Sequence, residues 1–91
     1  MTTSPDSPEP LARSVVVTDA ELRVALNDGR TISAPLNWFP KLRQATPEAR
    51  AHWELVGQGR GIHWPDVGED LSVAGLLAGA RAPGASDRGA A

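Results

Sequence analysis

Apolar and polar residues alternate along the first half of the chain in a pattern that predicts β-strands. Residues 14–18 form a β-branched run (SVVVT), which favours an extended backbone. In residues 21–26 the apolar side chains Leu22, Val24 and Leu26 recur at every second position, so they lie on one face of a strand. The two segments therefore predict neighbouring strands that share one apolar face.

The turn after the second predicted strand sets the register of a third. A two-residue loop would mix the apolar and polar faces of the two strands. A three-residue loop at 27–29, with Gly29 in the left-handed conformation, instead pairs Val24 with Ile32 and keeps one face apolar. We predict the three-residue loop, and a third strand that ends at Pro35 because proline has no N–H to donate.

Helix signals dominate the middle of the chain. Pro40 suits the first turn of a short helix, after an irregular start at Leu36. The segment Thr46-Pro47-Glu48 offers an N-cap hydroxyl, a proline at the first helical position and an acidic side chain that complements the helix dipole. Helical spacing then continues up to Gly57, which predicts an amphipathic helix with the stripe Ala49, His52, Trp53 and Val56.

The last part of the chain predicts a short strand and a short helix. Residues 61–64 can form a strand with Ile62 and Trp64 on one face. Ser72 is placed to cap a last short helix that ends at Gly79. We expect the inward face of this helix to carry Val73, Leu76 and Leu77. This order predicts the α+β class, as a three-stranded antiparallel meander plus a short fourth strand, with two or three short helices packed on one face.

Length and composition restrict this fold to one small domain. The chain has 91 residues and no cysteine, so disulfides cannot stabilise it, and its two histidines are a thin ligand set for zinc. Residues 14–79 are predicted to form the domain, and the ends 1–13 and 80–91 to be disordered tails. A domain of this size buries only about 60% of its unfolded surface, so a homodimer or a protein partner is an expected source of stability.

Charge and hydropathy narrow the function classes. Nine basic and eleven acidic residues give a net charge of −2, and their mixing along the chain does not favour binding to a phosphate backbone. The N-terminus is acidic and proline-rich, and no stretch approaches about 18 apolar residues. We therefore expect neither a secretion signal nor a membrane span, and a cytoplasmic location.

Two groups of residues suggest ligand sites, and each has a plainer interpretation. The glycine-rich stretch 57–61 follows a predicted helix and precedes a strand, the reverse of a phosphate-binding loop, so we expect a flexible connection in which substitution of Gly59 changes little. Asp66, Glu69 and Asp70 are close in sequence, as a cation or acid/base site requires, but an acidic turn leading into the last helix also explains them. We predict no metal ligand and no cofactor.

Histidines and aromatic residues complete the candidate chemistry. Neither His52 nor His63 lies beside a Ser, Cys or second His in a spacing that activates a nucleophile, so we predict no catalytic residue. The helical stripe places Trp53 in the core, whereas core and interface both remain open for Trp38. Because Trp and Arg are typical of interface hot spots, the interaction residues that we predict are Trp38, Phe39, Arg43 and Arg60.

Three stretches between Val24 and Gly79 closely resemble the bacterial family catalogued as domain of unknown function 2442. They are LNDGRTISAPLNWFPKL, TPEARAHWELVGQGRGIHWP and EDLSVAGLLAG, in which WFPKL, GIHWP and EDLSV-x-GLL-x-G appear in the family's order and spacing. Gly68 stands where similar chains more often carry an acidic residue. The resemblance implies a small α+β domain with no established catalytic residue, often encoded beside another short protein in an arrangement similar to toxin–antitoxin pairs.

These observations lead to three functional hypotheses. The first is a non-enzymatic protein-interaction module, antitoxin-like, whose partner is a small neighbouring protein. The second is a nucleic-acid-binding regulator that acts as a dimer and gathers its few basic residues into one stripe. The third is an enzyme that uses His63 with Glu69 or Asp70, and only their nearness in sequence suggests it.

Overall fold

The structure, a computed structural model, describes residues 9–82, and the chain enters it through an antiparallel meander. Strand β1 (Ala12–Val17) pairs with β2 (Glu21–Leu26), which pairs with β3 (Thr31–Pro35). Val24 lies opposite Ile32, so the three-residue loop is confirmed. The φ of Gly29 is 94°, in the left-handed region that this loop requires.

The hairpin between β2 and β3 is closed by side chains of its own turn. The Arg30 N–H donates to Asp28 Oδ1 at 3.0 Å, and Arg30 Nε donates to Asp28 Oδ2 at 2.9 Å. The side-chain hydrogen bond from Arg30, together with the backbone one, lowers the pKa of Asp28 below its usual value. The turn therefore holds its register by local polar contacts.

Two short helices follow the meander. A one-turn 3₁₀ helix (Leu36–Trp38) leads into α1 (Pro40–Arg43), and α2 spans Pro47–Ala51. Thr46 Oγ1 accepts a hydrogen bond from the Ala49 N–H at 3.1 Å, which confirms the predicted N-cap.

The predicted continuation of α2 to Val56 is wrong. His52 has φ −96° and ψ 74°, outside the helical region, and Glu54–Val56 forms strand β4. The stripe from Ala49 to Val56 fits helical spacing, but pairing with a neighbouring strand satisfies the backbone groups of 54–56. Tertiary pairing therefore overrides the local pattern, and Trp53 lies between α2 and β4.

A second antiparallel sheet was not predicted from the sequence. Its order is β4, β5 (Gly61–Trp64) and β6 (Glu69–Ser72), so the predicted fourth strand is its central strand. Both sheets and three short helices lie within residues 9–82, which confirms the α+β class.

The glycine-rich connection between β4 and β5 is a 3₁₀ turn (Gly57–Gly59), so a strand precedes it and not the expected helix. Gly59 has φ 100°, and a Cβ there would lie 2.8 Å from the Ala12 carbonyl oxygen. The expectation that substitution of Gly59 changes little is therefore wrong, because this turn packs directly against β1.

Helix α3 (Val73–Leu77) closes the described fold. The Ser72 hydroxyl accepts from the Gly75 N–H at 2.9 Å, which confirms the predicted cap. Val73 and Leu76 are buried, but Leu77 is 45% exposed, so its predicted inward position is wrong. Leu77 is the last residue of this five-residue helix, and it lines a cleft together with Pro10 and Arg60.

One apolar cluster joins both sheets and the helices. It contains Leu22 and Val24 from the first sheet, Ile62 and Trp64 from the second, and Phe39. β1 begins at Ala12, within the stretch 1–13 that was predicted as a tail, and residues 1–8 and 83–91 of the two predicted tails lie outside the described residues. Across residues 9–82, no helix combines the length and the apolar character that crossing a bilayer requires.

Candidate interaction surface

Strand β1 has an open edge. Among residues 9–82 it pairs with β2 alone, at the end of the sheet order β1-β2-β3. The Thr18 N–H donates to the Glu21 carbonyl at 2.9 Å, so by the alternation of an antiparallel ladder Val16 also directs its backbone groups towards β2. Val15 and Val17 direct theirs to the other side. An edge in this state is a template for pairing with another strand.

A groove of about 540 Å³ runs along this edge. One wall is β1 and the residues that follow it, and the opposite wall is α2 with the indole of Trp53. We call it the β1 groove, and its lining residues are Val15, Val16, Val17, Thr18, Asp19, Pro47, Arg50, Ala51 and Trp53.

Arg50 fixes the position of the α2 wall. Its side chain is 11% exposed, and its Nε and Nη2 donate to the carbonyls of Leu42 at 2.9 Å and Arg43 at 2.8 Å. Its Nη1 lies 2.8 Å from Asp19 Oδ1, just after β1. The indole Nε1 of Trp64 donates to the Arg50 carbonyl at 3.1 Å. The wall is therefore tied to α1, to the end of β1 and to the second sheet.

The β1 groove has an apolar rim. Val16 is 52% exposed on the solvent face of the first sheet, and Trp53 is half-buried in the groove. A strand with one wet face is expected to alternate apolar with polar residues, so Val16, the middle valine of Val15–Val17, is a sequence signal for this surface that was not used in the prediction. The helical stripe had assigned Trp53 to the core, where it packs only partly.

The four predicted interaction residues do not form one site. Phe39 is only 1% exposed, because its ring packs in the apolar cluster between the sheets. Its prediction as an interface residue is therefore wrong. Trp38 is half-buried, with the Arg81 guanidinium 4.5 Å from its ring centroid. Arg43 and Arg60 are exposed. None of the four predicted residues lines the β1 groove.

The two histidines each contact a carboxylate. His63 Nδ1 lies 2.7 Å from Asp70 Oδ1, directly across β5 and β6, and His52 Nδ1 lies 3.0 Å from Asp66 Oδ2. Neither histidine lines the β1 groove or the cleft at Leu77. Over residues 9–82, no group of three or more acidic or histidine side chains has an arrangement that could hold a metal ion.

Glu69 is a buried carboxylate and not part of an acidic turn leading into a helix. It is 7% exposed because β6 directs Glu69 and Leu71 to the inner face of the sheet. Its Oε1 accepts from the Asp70 N–H at 3.0 Å, and its Oε2 has no hydrogen-bond partner among the described residues. It borders a cavity of about 240 Å³ that Phe39 and Leu76 also line.

Comparison with known proteins gives a family and two similar folds. The family model described as Protein of unknown function (DUF2442) matches residues 12–82. No curated protein matches the sequence.

Two solved structures are similar to this one. A protein of unknown function from Rhodospirillum rubrum, known from a crystal structure, is 32% identical, with a TM-score of 0.70 over 82% of this chain and 93% of that one. An uncharacterized protein from Chromobacterium violaceum, known from a solution NMR structure, is 27% identical, with a TM-score of 0.67 over 79% of this chain and 68% of that one.

Proposed function

The chain belongs to the DUF2442 family, and we propose that it is a non-enzymatic protein-interaction module whose β1 edge binds an extended segment of another protein chain. The observation that carries the proposal is the open edge of β1 beside the β1 groove. In strand addition, main-chain hydrogen bonds supply affinity and a pocket for alternate side chains supplies specificity. Val15 and Val17 present the backbone groups, and Ala51 and Trp53 supply apolar walls.

The finer form of this proposal is an antitoxin-like protein whose partner is a small protein encoded beside it. Its support is the family resemblance alone. We place this binding in the cytoplasm, which a chain without cysteine suits.

The test is co-expression of the chain with that neighbouring protein, followed by purification through a tag on the neighbour. Val16→Lys places a charge on the rim of the groove without touching the core, and Val56→Lys is the matched control on another exposed strand residue. We expect the original chain and Val56→Lys to co-purify, and Val16→Lys to be lost. The proposal is contradicted if Val16→Lys co-purifies as well as Val56→Lys does. It is also contradicted if neither the original chain nor either variant co-purifies with the neighbour.

A nucleic-acid-binding dimer is the alternative, and the distribution of charge supports it less well. Arg23, Arg30, Arg50 and Arg60 each lie in an ion pair with a carboxylate of the same chain. These pairs reduce the positive potential that attracts phosphates. A gel shift that weakens steeply as salt rises would favour this alternative over the protein-interaction module.

A further inference from the structure

The edge strand β1 has a self-complementary sequence centred on Val16. Residues 13–19 read RSVVVTD. When two copies of this segment run antiparallel about Val16, the cationic Arg13 lies opposite the anionic Asp19, and a hydroxyl side chain lies opposite a hydroxyl side chain. Val15 then lies opposite Val17, and Val16 opposite its own copy. Opposite charges, hydroxyl pairs and β-branched pairs are the cross-strand neighbours that stabilise a sheet.

The backbone of β1 has the parity that this register requires. Val15 and Val17 direct their N–H and C=O groups to the open edge, so opposite one another they form hydrogen-bonded pairs. Val16 then meets the second copy's Val16 in a non-hydrogen-bonded pair, where side chains come closest. This pairing would cover the side chain that is 52% exposed in the single chain.

We propose that, when no other partner is bound, the β1 edge is occupied by β1 of a second copy of this chain, antiparallel about a two-fold axis at Val16. Each copy contributes three strands, so the two meanders join into one continuous sheet of six. The inference rests on the proposed function, because it uses the same edge. Another protein segment that binds this edge must displace the second copy, so the dimer is the resting state of the module.

The β1 groove accommodates the second strand. Val15 and Val17 lie opposite Val24 and Leu22 of β2, so their side chains point to the core side of the sheet. A two-fold axis perpendicular to the sheet keeps the same side chains of the second copy on that side, where they enter the groove beside Trp53.

The charged pair at the two ends of the register is accessible. Arg13 is exposed at the irregularity between Ala12 and Ser14, where the register with β2 skips it. The Asp19 side chain is 97% exposed although it contacts Arg50, so its carboxylate can accept from a second guanidinium. An exposed ion pair of this kind specifies the register of the two strands more than it increases the affinity between them.

The test uses two variants of the residue on the axis. Val16→Lys and Val16→Glu each place like charges opposite one another, and we expect each to weaken self-association by about tenfold or more in sedimentation equilibrium. An equimolar mixture of the two places Lys opposite Glu, so we expect the mixture to recover a one-to-one dimer. Val56→Lys is the control and stays as dimeric as the original chain.

Each contrary result has a distinct meaning. A monomeric original chain, unchanged association of both Val16 variants, or a mixture that stays monomeric overturns the self-pairing. If the isolated chain is monomeric and Val16→Lys still abolishes co-purification with the neighbouring protein, the second copy is wrong and the proposed function stands. Circular dichroism melts verify that each variant folds. Arg13→Glu changes a second exposed position and places a glutamate opposite Asp19 of the other copy, so we expect it to weaken the dimer as well.

Discussion

The indole Nε1 of Trp64 donates a hydrogen bond to the Arg50 carbonyl oxygen over 3.1 Å and so joins the second sheet to the wall of the β1 groove. Trp64 is fully buried on β5, and Arg50 is in α2, whose residues line the groove. A buried indole usually finds an acceptor, and here the acceptor is a carbonyl near the C-terminus of a short helix. The width of the groove therefore depends on the core of the domain.

Replacement of Trp64 by Phe tests this connection. The change removes the indole N–H and part of the core volume, so we expect a loss of about 2–3 kcal/mol in the free energy of unfolding. Urea unfolding measures the loss. Trp53→Phe is the control, because Trp53 is only half-buried and its indole N–H makes no hydrogen bond within residues 9–82. An equal loss in both variants would show that the Trp64 contact has no special weight.

Gly59→Ala tests the packing of the 3₁₀ turn against β1. The new Cβ would lie 2.8 Å from the Ala12 carbonyl oxygen, and the residue has φ 100°, so we expect a loss of about 2–3 kcal/mol. Gly68→Ala is the matched control: its φ is 65°, but nothing lies within 4 Å of the new Cβ. We expect only about 1 kcal/mol there, from backbone strain. Thermal melts that rank the two variants in the reverse order contradict this account.

Glu69→Gln tests the buried carboxylate. The amide keeps the oxygen that accepts from the Asp70 N–H and removes the burial of a charge whose second oxygen has no partner among the described residues. We expect the free energy of unfolding at neutral pH to rise by about 1 kcal/mol, because a charged group loses more hydration on burial than an amide. Glu54→Gln, on an exposed side chain, is expected to change stability by less than about 0.5 kcal/mol. A destabilised Glu69→Gln variant would mean that the carboxylate has a favourable contact.

The meander could be predicted because residues close together in the sequence determine its strands and their register. The alternation in 21–26 and the turn at Gly29 determine which residues of β2 and β3 face one another, and the structure has that register. The caps at Thr46 and Ser72 were predictable for the same reason, since each depends on a hydroxyl three residues before a backbone N–H.

The second sheet could not be predicted in the same way. Strand β4 has three residues, and its Val56 continues the helical spacing of the segment before it. Strand β6 (EDLS) begins with two acidic residues, which are uncommon in strands. Both form because each pairs with β5, a contact between segments that local periodicity does not contain.

The candidate surface was missed for a related reason. Phe39 and Trp38 were predicted from residue type alone, whereas the exposure of a side chain depends on the side of the fold on which it lies. Trp53 was assigned to the core by a helical stripe that continued to Val56, whereas the helix itself ends at Ala51. The valine at position 16 was the available signal, because it interrupts the polar face expected of a wet strand.

The measurement that tests the role of the β1 edge most directly is amide hydrogen exchange at Val15 and Val17. Their N–H groups point to the open edge, so they are expected to exchange quickly in a single chain and slowly when a strand pairs with them. We predict slow exchange at high protein concentration or with a bound partner, and fast exchange on dilution and in Val16→Lys. Fast exchange of both amides under all of these conditions would contradict the account.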